Sequence, residues 1–479
     1  MDFINSSLIE NDFRVYAYSH LDEFRRVSKK EIDIYTLKRN KLLKLVKNAL
    51  KAPMYQEIYS ADLKKEIIEC NDPVYFENSI FPKLSIIDKK IILDYGIKGS
   101  TIPINEFYHY YESSGTTGNP VPAPKTKVDY IWNTTNIGEM WSGFLKKGDV
   151  AIILINNPFG PAPYQMEKIM EYIGIMSYRP YVDNLTGRHD RILRLMEETK
   201  TNVYIGPPSG LMELFEYANR NNLPKPRLDK FLLLGEQSGM SFLNRLEQLT
   251  GGWGSVGSYG SSETSTITAT CKDKKLHVFE NSQYLELLKE NNIVKPKDGG
   301  SGELIVTTLD FLSKPLIRYN TGDLVDFDFS KCPCGCELPT LQTLGRSIDV
   351  INFGRKGINQ EMIEEILWSD DFIDPIIFNY IVLLKDDDIF IFITTSESPS
   401  EEWSNRLNNR LKTLMRSENI LVKVVGKLPP LNSLGGYIRW KLSRVLDLNE
   451  QKNWLKLPEP LKEMVYASFE QLNKELIKL

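Results

Sequence analysis

Between residues 149 and 236 the chain alternates between two textures. Apolar, β-branched runs, "DVAIILIN" (149–156), "TNVYIG" (201–206) and "KFLLLGE" (230–236), predict buried strands. The stretches between them, "YQMEKIMEYIG" and "SGLMELFEYANRNN", carry their apolar residues at helical spacing. Strand–helix–strand repetition predicts an α/β fold, with mostly parallel sheet and helices covering its faces. Ligands of such sheets lie beyond the carboxyl ends of the strands. "GPPSG" (206–210) and "GEQSG" (235–239) both follow predicted strands, so both are placed for ligand contact. Earlier in the chain, "LKRNKLLKLVKNAL" alternates charges with apolar residues at helical spacing and predicts a helical lead-in over residues 30 to 70.

Near residue 345 the texture changes. "LGRSIDVINFGRKG" is a polar, glycine-punctuated joint. Beyond it come a helical "QEMIEEILWSDD", the strand-like "FNYIVLLK" and "DDIFIFITT", a long amphipathic helix, "LVKVVGKLP" and a last helical pattern. The expected organisation is a large N-terminal domain, residues 1–344, and a small C-terminal α+β domain, residues 345–479. No internal repeat or low-complexity segment interrupts it.

Composition narrows the class. A chain of 479 residues suits two or three domains, and a net charge of −4 gives no support for nucleic acid as the main partner. No apolar run approaches the roughly 18 residues of a membrane span, so no membrane partner is expected. The N-terminal "MDFINSSLIENDF" carries acids and lacks the basic and apolar regions of a signal peptide, which makes the cytoplasm the default location. Five cysteines are too few for a disulfide scaffold, and three of them crowd into "CPCGC". In a reducing compartment that crowding reads first as metal ligation or redox chemistry. Nothing in the pattern fixes an oligomeric state.

Five short stretches carry candidate chemistry. "ESSGTTGNP" (112–120) has no apolar anchor; its backbone amides and hydroxyls suit either a phosphate-wrapping loop or a surface turn. It is not a Walker A loop, because no Lys-Ser or Lys-Thr pair follows its second glycine. "SYGSSETS" (258–265) offers one carboxylate, Glu263, either a solvated turn residue or an oxygen ligand for Mg2+. "LIRYNTGDLV" (316–325) ends an apolar run at Asp323, a turn aspartate or a chelator of ribose hydroxyls. "LGRSID" puts Arg346 at the joint, and "WKLSRVLDL" puts Lys441 near the end of the small domain.

In their order and spacing these stretches resemble the adenylate-forming (ANL) superfamily, and within it the phenylacetate–CoA ligase family. The family pattern SSGTTGKP, YG-x-S/T-E, RY-x-TGD, GR-x-DD, GK-x-x-RV-I/L-D appears here as "SSGTTGNP", "YGSSE", "RYNTGD", "GRSID" and "WKLSRVLD", and the resemblance covers residues 35 to 448. It implies a two-step reaction. The carboxylate of a small acid attacks the α-phosphate of ATP, giving an acyl-adenylate and pyrophosphate. A thiol, of coenzyme A or of the phosphopantetheine on an acyl carrier protein, then displaces AMP, after the small domain has rotated about the joint. The resemblance makes Ser113, Ser114, Gly115, Thr116, Thr117 and Gly118 the triphosphate loop. It gives Gly235, Glu236 and Gln237 to adenine, and Tyr259, Gly260, Ser261 and Ser262 to the nucleotide. It gives Glu263 to Mg2+, Asp323 to the ribose and Arg346 to ribose or phosphate. Lys441 becomes the ammonium delivered to the reacting phosphate in the first step.

The same resemblance bears on the cysteines and the acid. Spacings of C-x5-H and C-x-C are not the common zinc-finger spacing, so the residues alone leave metal ligation and plain burial open. Some relatives carry C-x-C-G between the RY-x-TGD and GR motifs, and Cys and His after YG-x-S-E. On that basis Cys271, His277, Cys332 and Cys334 form a structural Zn2+ site, with Cys336 left out. The family's acyl pocket maps onto "NNPFGPAPYQ" and the "GPPSG" loop, giving Phe159, Pro163, Tyr164 and Pro208 as substrate candidates and an aryl or other apolar acid as the expectation. Two departures stand out. Asn119 replaces the loop lysine of many members, and Ile348 stands at the first Asp of GR-x-DD, where the small domain hinges. The hinge departure implies sound adenylation and slow thioester formation with free coenzyme A. It keeps open an enzyme that diverts the adenylate to another nucleophile, an adenylyltransferase like the coenzyme F390 synthetases or an amide-forming ligase. A non-catalytic binding protein on this fold is the remote alternative, opposed by the retained Glu263, Asp323, Arg346 and Lys441.

Overall fold

The computed structural model describes residues 11–113, 120–157, 159–180, 189–290, 292–296, 299–346, 351–353, 356–358, 360–385, 388–416, 419–426, 428 and 444–447. A five-stranded sheet has the order β2-β1-β3-β4-β5. Its strands are β1 (Val150–Ile153), β2 (Met176–Tyr178), β3 (Val203–Gly206), β4 (Lys230–Leu233) and β5 (Trp253–Val256). Every pairing in it is parallel. The strands read as unbroken apolar runs because alternate side chains enter two different cores. Ile152, Tyr204, Phe231 and Leu233 pack on one face. Ala151, Ile153, Val203, Ile205 and Leu232 pack on the other. The crossover helices stop where their sequences dictate: Ala162–Ile173 ends at Gly174 (φ 82°) and Met240–Thr250 at Gly251 (φ 75°).

The second sheet was not legible in the apolar pattern. It has eight strands in the order β10-β9-β11-β12-β13-β8-β7-β6. They are β6 (Ser258–Ser261), β7 (Ser265–Thr270), β8 (Leu276–Val278), β9 (Gln283–Lys289), β10 (Asn292–Val294), β11 (Gly300–Thr308), β12 (Tyr319–Asp328) and β13 (Thr340–Arg346). All of its pairings are antiparallel, and a strand such as "YNTGDLVDFD" mixes polar and apolar residues because part of it faces water or the cleft. The chain passes from one sheet to the other at Gly257. Its amide donates to the Leu233 carbonyl of the parallel sheet at 2.8 Å, and its carbonyl accepts from the Thr270 amide at 2.8 Å. This switch hangs the β6–β7 hairpin at the carboxyl end of the parallel sheet.

The C-terminal region contributes a hairpin, β14 (Ile351–Phe353) with β15 (Lys356–Ile358), and a four-stranded sheet in the order β18-β17-β16-β19. The strands of that sheet are β16 (Ile377–Lys385), β17 (Asp388–Thr395), β18 (Ile420–Val424) and β19 (Val445–Asp447). Helices Gln360–Leu367 and Glu401–Met415 pack against it. Trp368, Tyr380 and Val382 share one continuous core with Phe215, Phe242 and Leu246 of the parallel-sheet helices. Among the described residues no helix is long and apolar enough to cross a membrane.

Candidate active site

The β6–β7 hairpin is built to close tightly. Ser261 and Thr264 exchange hydroxyl–amide hydrogen bonds, both 3.1 Å, and Ser265 turns the chain with φ 59°. A Cβ on Gly260 would lie 2.3 Å from the Ser265 carbonyl oxygen, so the "YGSSE" glycine is a steric requirement of this close approach. The turn holds Glu263, only 7 % exposed, on the wall of a cleft that Ser113, Tyr259 and Asp323 also line.

Another part of that wall comes from β12, which pairs with β13. Asp323 pairs with Arg346 in their ladder. The Tyr259 hydroxyl donates to Asp323 Oδ2 at 2.7 Å, which fixes the carboxylate from the neighbouring hairpin. Gly322 takes φ 72°, and the Asp323 amide donates to Thr321 Oγ1 at 3.1 Å. The side chain of Arg346 lies outside the described residues. So do Ser114, Gly115, Thr116, Thr117, Gly118, Ile348, Asp349 and Lys441. The base of the 114–119 loop is described: the Ser113 amide donates to the Val121 carbonyl and the Val121 amide to Ser113 Oγ, both at 2.9 Å.

The two loops beyond β3 and β4 are joined to each other. Glu236 accepts from Ser209 Oγ at 2.7 Å and from the Ser209 amide at 3.2 Å. Burial raises the Glu236 carboxyl to about 7, against the pull of the Arg444 guanidinium. Of the three adenine candidates, Gly235 lines the cleft, Glu236 is spent on Ser209, and Gln237 packs over Gly345, where a Cβ would meet its Oε1 at 3.0 Å.

The four acid-side candidates are not among the residues that line this cleft. Phe159 is 53 % exposed, and Pro163 and Pro208 are buried among core residues. Tyr164 stacks under the Arg179 guanidinium at 4.4 Å. On helix Ala162–Ile173 the cleft side is Ala162, Gln165 and Met166, preceded by Pro161. These positions share one face at helical spacing, and Pro163 and Tyr164 turn off it. Helix Lys127–Trp141 adds Asp129, Tyr130 and Asn133. The Gln165 amide donates to Thr134 Oγ1 at 2.7 Å, and Asn133 Oδ1 accepts from the Thr266 amide at 3.3 Å.

Sequence reasoning also missed two buried lysines. Lys125 directly precedes Thr126, the N-cap of Lys127–Trp141, which forms a capping box with Asp129. That box was visible in "TKVD" and would have fixed Lys125 at a helix entrance just after the loop. Its ammonium donates to the Ser262 carbonyl at 3.1 Å and to Ser265 Oγ at 2.8 Å, and sits 4.0 Å over the Phe311 ring. Lys314 donates to the Pro122 carbonyl at 2.5 Å. Burial pushes both ammonium groups down to about 8; Asp129 and then Glu263 pull Lys125 back up, and Glu263 does the same for Lys314.

Away from the cleft, Cys271, His277, Cys332 and Cys334 converge, their ligand atoms all within 4.8 Å of one another. Cys271 and Cys332 sulfurs are 3.7 Å apart, and Cys334 Sγ is 3.3 Å from His277 Nε2. His277 Nδ1 is 2.8 Å from the Leu338 carbonyl, which fixes the ring so that Nε2 faces the sulfurs. The Asp273 and Cys336 amides donate to the sulfurs of Cys271 and Cys334. Burial, reinforced by the neighbouring sulfurs, raises the thiols of Cys271 and Cys334. A second group, His20, Glu23 and Asp310, is already filled by a cation: Lys41 Nζ lies 2.6 Å from Glu23 and 2.9 Å from Asp310.

A phenylacetate–coenzyme A ligase of Thermus thermophilus is 24 % identical to this chain over 353 residues, covering 70 % of this chain and 77 % of the relative. The chain resembles the phenylacetate–coenzyme A ligases. No family model matches it. A 2-hydroxyisobutyryl-CoA ligase in the postadenylation state, in complex with 2-HIB-AMP, superposes with a TM-score of 0.71 at 18 % identity, over 89 % of this chain and 91 % of that one. An acyl acid amido synthetase in complex with 2,4-DB superposes with a TM-score of 0.63 at 13 % identity, over 94 % and 96 % of the two chains. The fold is that of this CoA ligase and of the acyl acid amido synthetase.

Proposed function

We propose that the chain activates a small carboxylic acid with ATP as an acyl-adenylate and passes the acyl group to a thiol, of coenzyme A or of a carrier protein. The observation that carries this reading is the single cleft wall joining Ser113, Glu263, Tyr259, Asp323 and Gly235. It supplies what a nucleotide needs: a loop base, a carboxylate for Mg2+, a braced carboxylate for ribose hydroxyls and a backbone edge for the base. In this reading the division into domains falls near residue 344, and Lys441 comes from the small domain to meet negative charge developing at the α-phosphate. Asn133 and Gln165 favour an acid bearing hydrogen-bonding groups over the purely apolar body expected from the sequence.

The four-residue sulfur–imidazole cluster suits a structural Zn2+. A tetrahedron with Zn–S bonds of about 2.3 Å has sulfur–sulfur edges of about 3.8 Å, and Cys271 and Cys332 are 3.7 Å apart. Four protein ligands leave no position open for chemistry, so the metal would tie the 271–277 hairpin to the 332–336 turn.

Pyrophosphate release from ATP and Mg2+ with a panel of acids tests the first step; no release with any acid overturns the reading. Mass detection of the thioester after adding coenzyme A tests the second. Transfer to an amine or another nucleophile is the alternative, and Ile348 at the hinge is what favours it.

A further inference from the structure

The sequence of the loop that begins at Ser113, "ESSGTTGNP", contains no cation. Its amides and hydroxyls can orient phosphate oxygens, but a polyphosphate brings several negative charges into a cleft where Glu263 already carries one. Mg2+ at Glu263 would offset part of that charge, and the rest has to be met from another element.

Lys125 answers that need. It lines the same cleft as Ser113 and Glu263 and is 5 % exposed. Among the described residues its ammonium meets the Ser262 carbonyl, the Ser265 hydroxyl and the Phe311 ring, all of them neutral. These contacts solvate the charge without neutralising it. An ammonium buried in this way, with no carboxylate in ion-pair contact, is costly unless an anion completes the site. Lys314, 4 % exposed and bound to the Pro122 carbonyl, adds a second buried positive charge behind the segment that leaves the loop. The carboxylates near this pair, Asp129 and Glu263, favour the Lys125 charge from a distance, Asp129 the more strongly, but neither makes an ion pair with it: Asp129 accepts from Thr126 and Ser313 at 2.7 and 2.9 Å, and Glu263 lines the cleft. The Thr126–Asp129 capping box holds the Lys125 backbone at the helix entrance, so the ammonium is presented by a rigid element.

Resting on the ATP-dependent reading above, we infer that Lys125 is the residue that supplies this site's positive charge to the β- and γ-phosphates of the nucleotide and to the departing pyrophosphate, with Lys314 supporting it from behind. The ligand class is a polyphosphate.

The test is calorimetric binding of ATP with Mg2+, of AMP and of inorganic pyrophosphate to the full-length wild type and to Lys125→Met, with no acid present. Loss of a buried charge partner is expected to weaken ATP and pyrophosphate by at least about tenfold and to leave AMP, which lacks the outer phosphates, unchanged. Lys125→Arg should keep most of the affinity. Adding Asn119→Lys to Lys125→Met should restore part of it by returning a cation to the loop. A parallel loss of ATP and AMP, or unchanged ATP affinity with only a raised KM for the acid, would overturn the inference; the second result would give Lys125 to the substrate carboxylate. Should Lys125→Met fail to fold, Lys125→Gln carries the same comparison. Wild type that binds ATP but releases no pyrophosphate with any acid would sink the proposed function and leave the binding comparison decisive for Lys125. Wild type that does not bind ATP would sink both.

Discussion

Phe242 and Trp368 stack face to face where the parallel-sheet helices meet the C-terminal region, their ring centroids 3.9 Å apart and their planes 10° from parallel. Phe242 lies on the helix that follows the "GEQSG" loop, and Trp368 follows helix Gln360–Leu367. Arg245, one turn further along the Phe242 helix, donates to the Ser369 carbonyl at 3.0 Å. A small domain that turns between two chemical steps has to part these rings. Phe242→Leu keeps apolar volume and removes the aromatic pair, worth about 1 kcal/mol beyond its buried area. The expected outcome is a small drop in Tm, with thioester formation rising relative to pyrophosphate release. Both rates measured on one preparation check it; an unchanged ratio would mean that this contact does not hold the domains in register.

Cys332→Ser removes one corner of the sulfur–imidazole cluster. Structural zinc contributes folding free energy directly. Metal content should fall from one zinc per chain toward none, and Tm should fall with it. Elemental analysis of wild type purified without chelator is the check, and absence of zinc there would reject the site.

How much of this was legible varies with how each element is buried. The parallel strands could be read because Ile152 and Ile153, or Tyr204 and Ile205, enter opposite cores, which leaves no polar position in the run. The antiparallel sheet could not, because Tyr319–Asp328 spends Thr321 and Asp323 on the cleft. The sulfur–imidazole cluster needed the family resemblance: Cys271 and Cys332 are 61 positions apart, and the ladder contact between His277 and Thr340 joins two of the strands beside it. Which residues of helix Ala162–Ile173 line the cleft depends on a helical phase that the short "PFGPAPYQ" stretch does not fix. Lys125 belongs to no motif of its own, and only the capping box beside it marks its place.

His20 gives a pH prediction with a defined sign. It is buried, and 2.8 Å separates its Nε2 from Asn136 Oδ1. Burial lowers it below its ordinary value of 6.5, against the upward pull of Asp310. The unfolded chain therefore takes up this proton before the folded one does. Stability is full above 6.5 and falls as pH drops from there toward the folded value. Glu236, raised from 4.5 to about 7, has the opposite slope, losing stability as pH rises through that window. The difference between wild type and His20→Gln isolates the histidine: the Tm difference between pH 7.5 and pH 5 should be smaller in the variant. An identical pH dependence in both proteins would exclude a neutral buried His20.

The last prediction separates binding from chemistry at the cleft. Asp323 is braced by the Tyr259 hydroxyl at 2.7 Å and stands opposite Arg346 in the strand ladder, so it is in place before any ligand arrives. A carboxylate of this kind meets ribose hydroxyls equally in the ground state and the transition state. Asp323→Ala should therefore raise the ATP KM and weaken AMP binding, with a much smaller effect on kcat. Tyr259→Phe removes only the brace and should produce a weaker version of the same change. Lys441, delivered by the other domain, is proposed to meet charge that develops only as the acyl-phosphate bond forms. Lys441→Ala should leave ATP binding and Tm near wild type while cutting pyrophosphate release by a factor of about 100 or more. If the two variants show the same pattern of KM and kcat, the division of roles between wall and small domain is wrong. If Lys441→Ala still makes adenylate at the wild-type rate, the motif that places it is wrong as well.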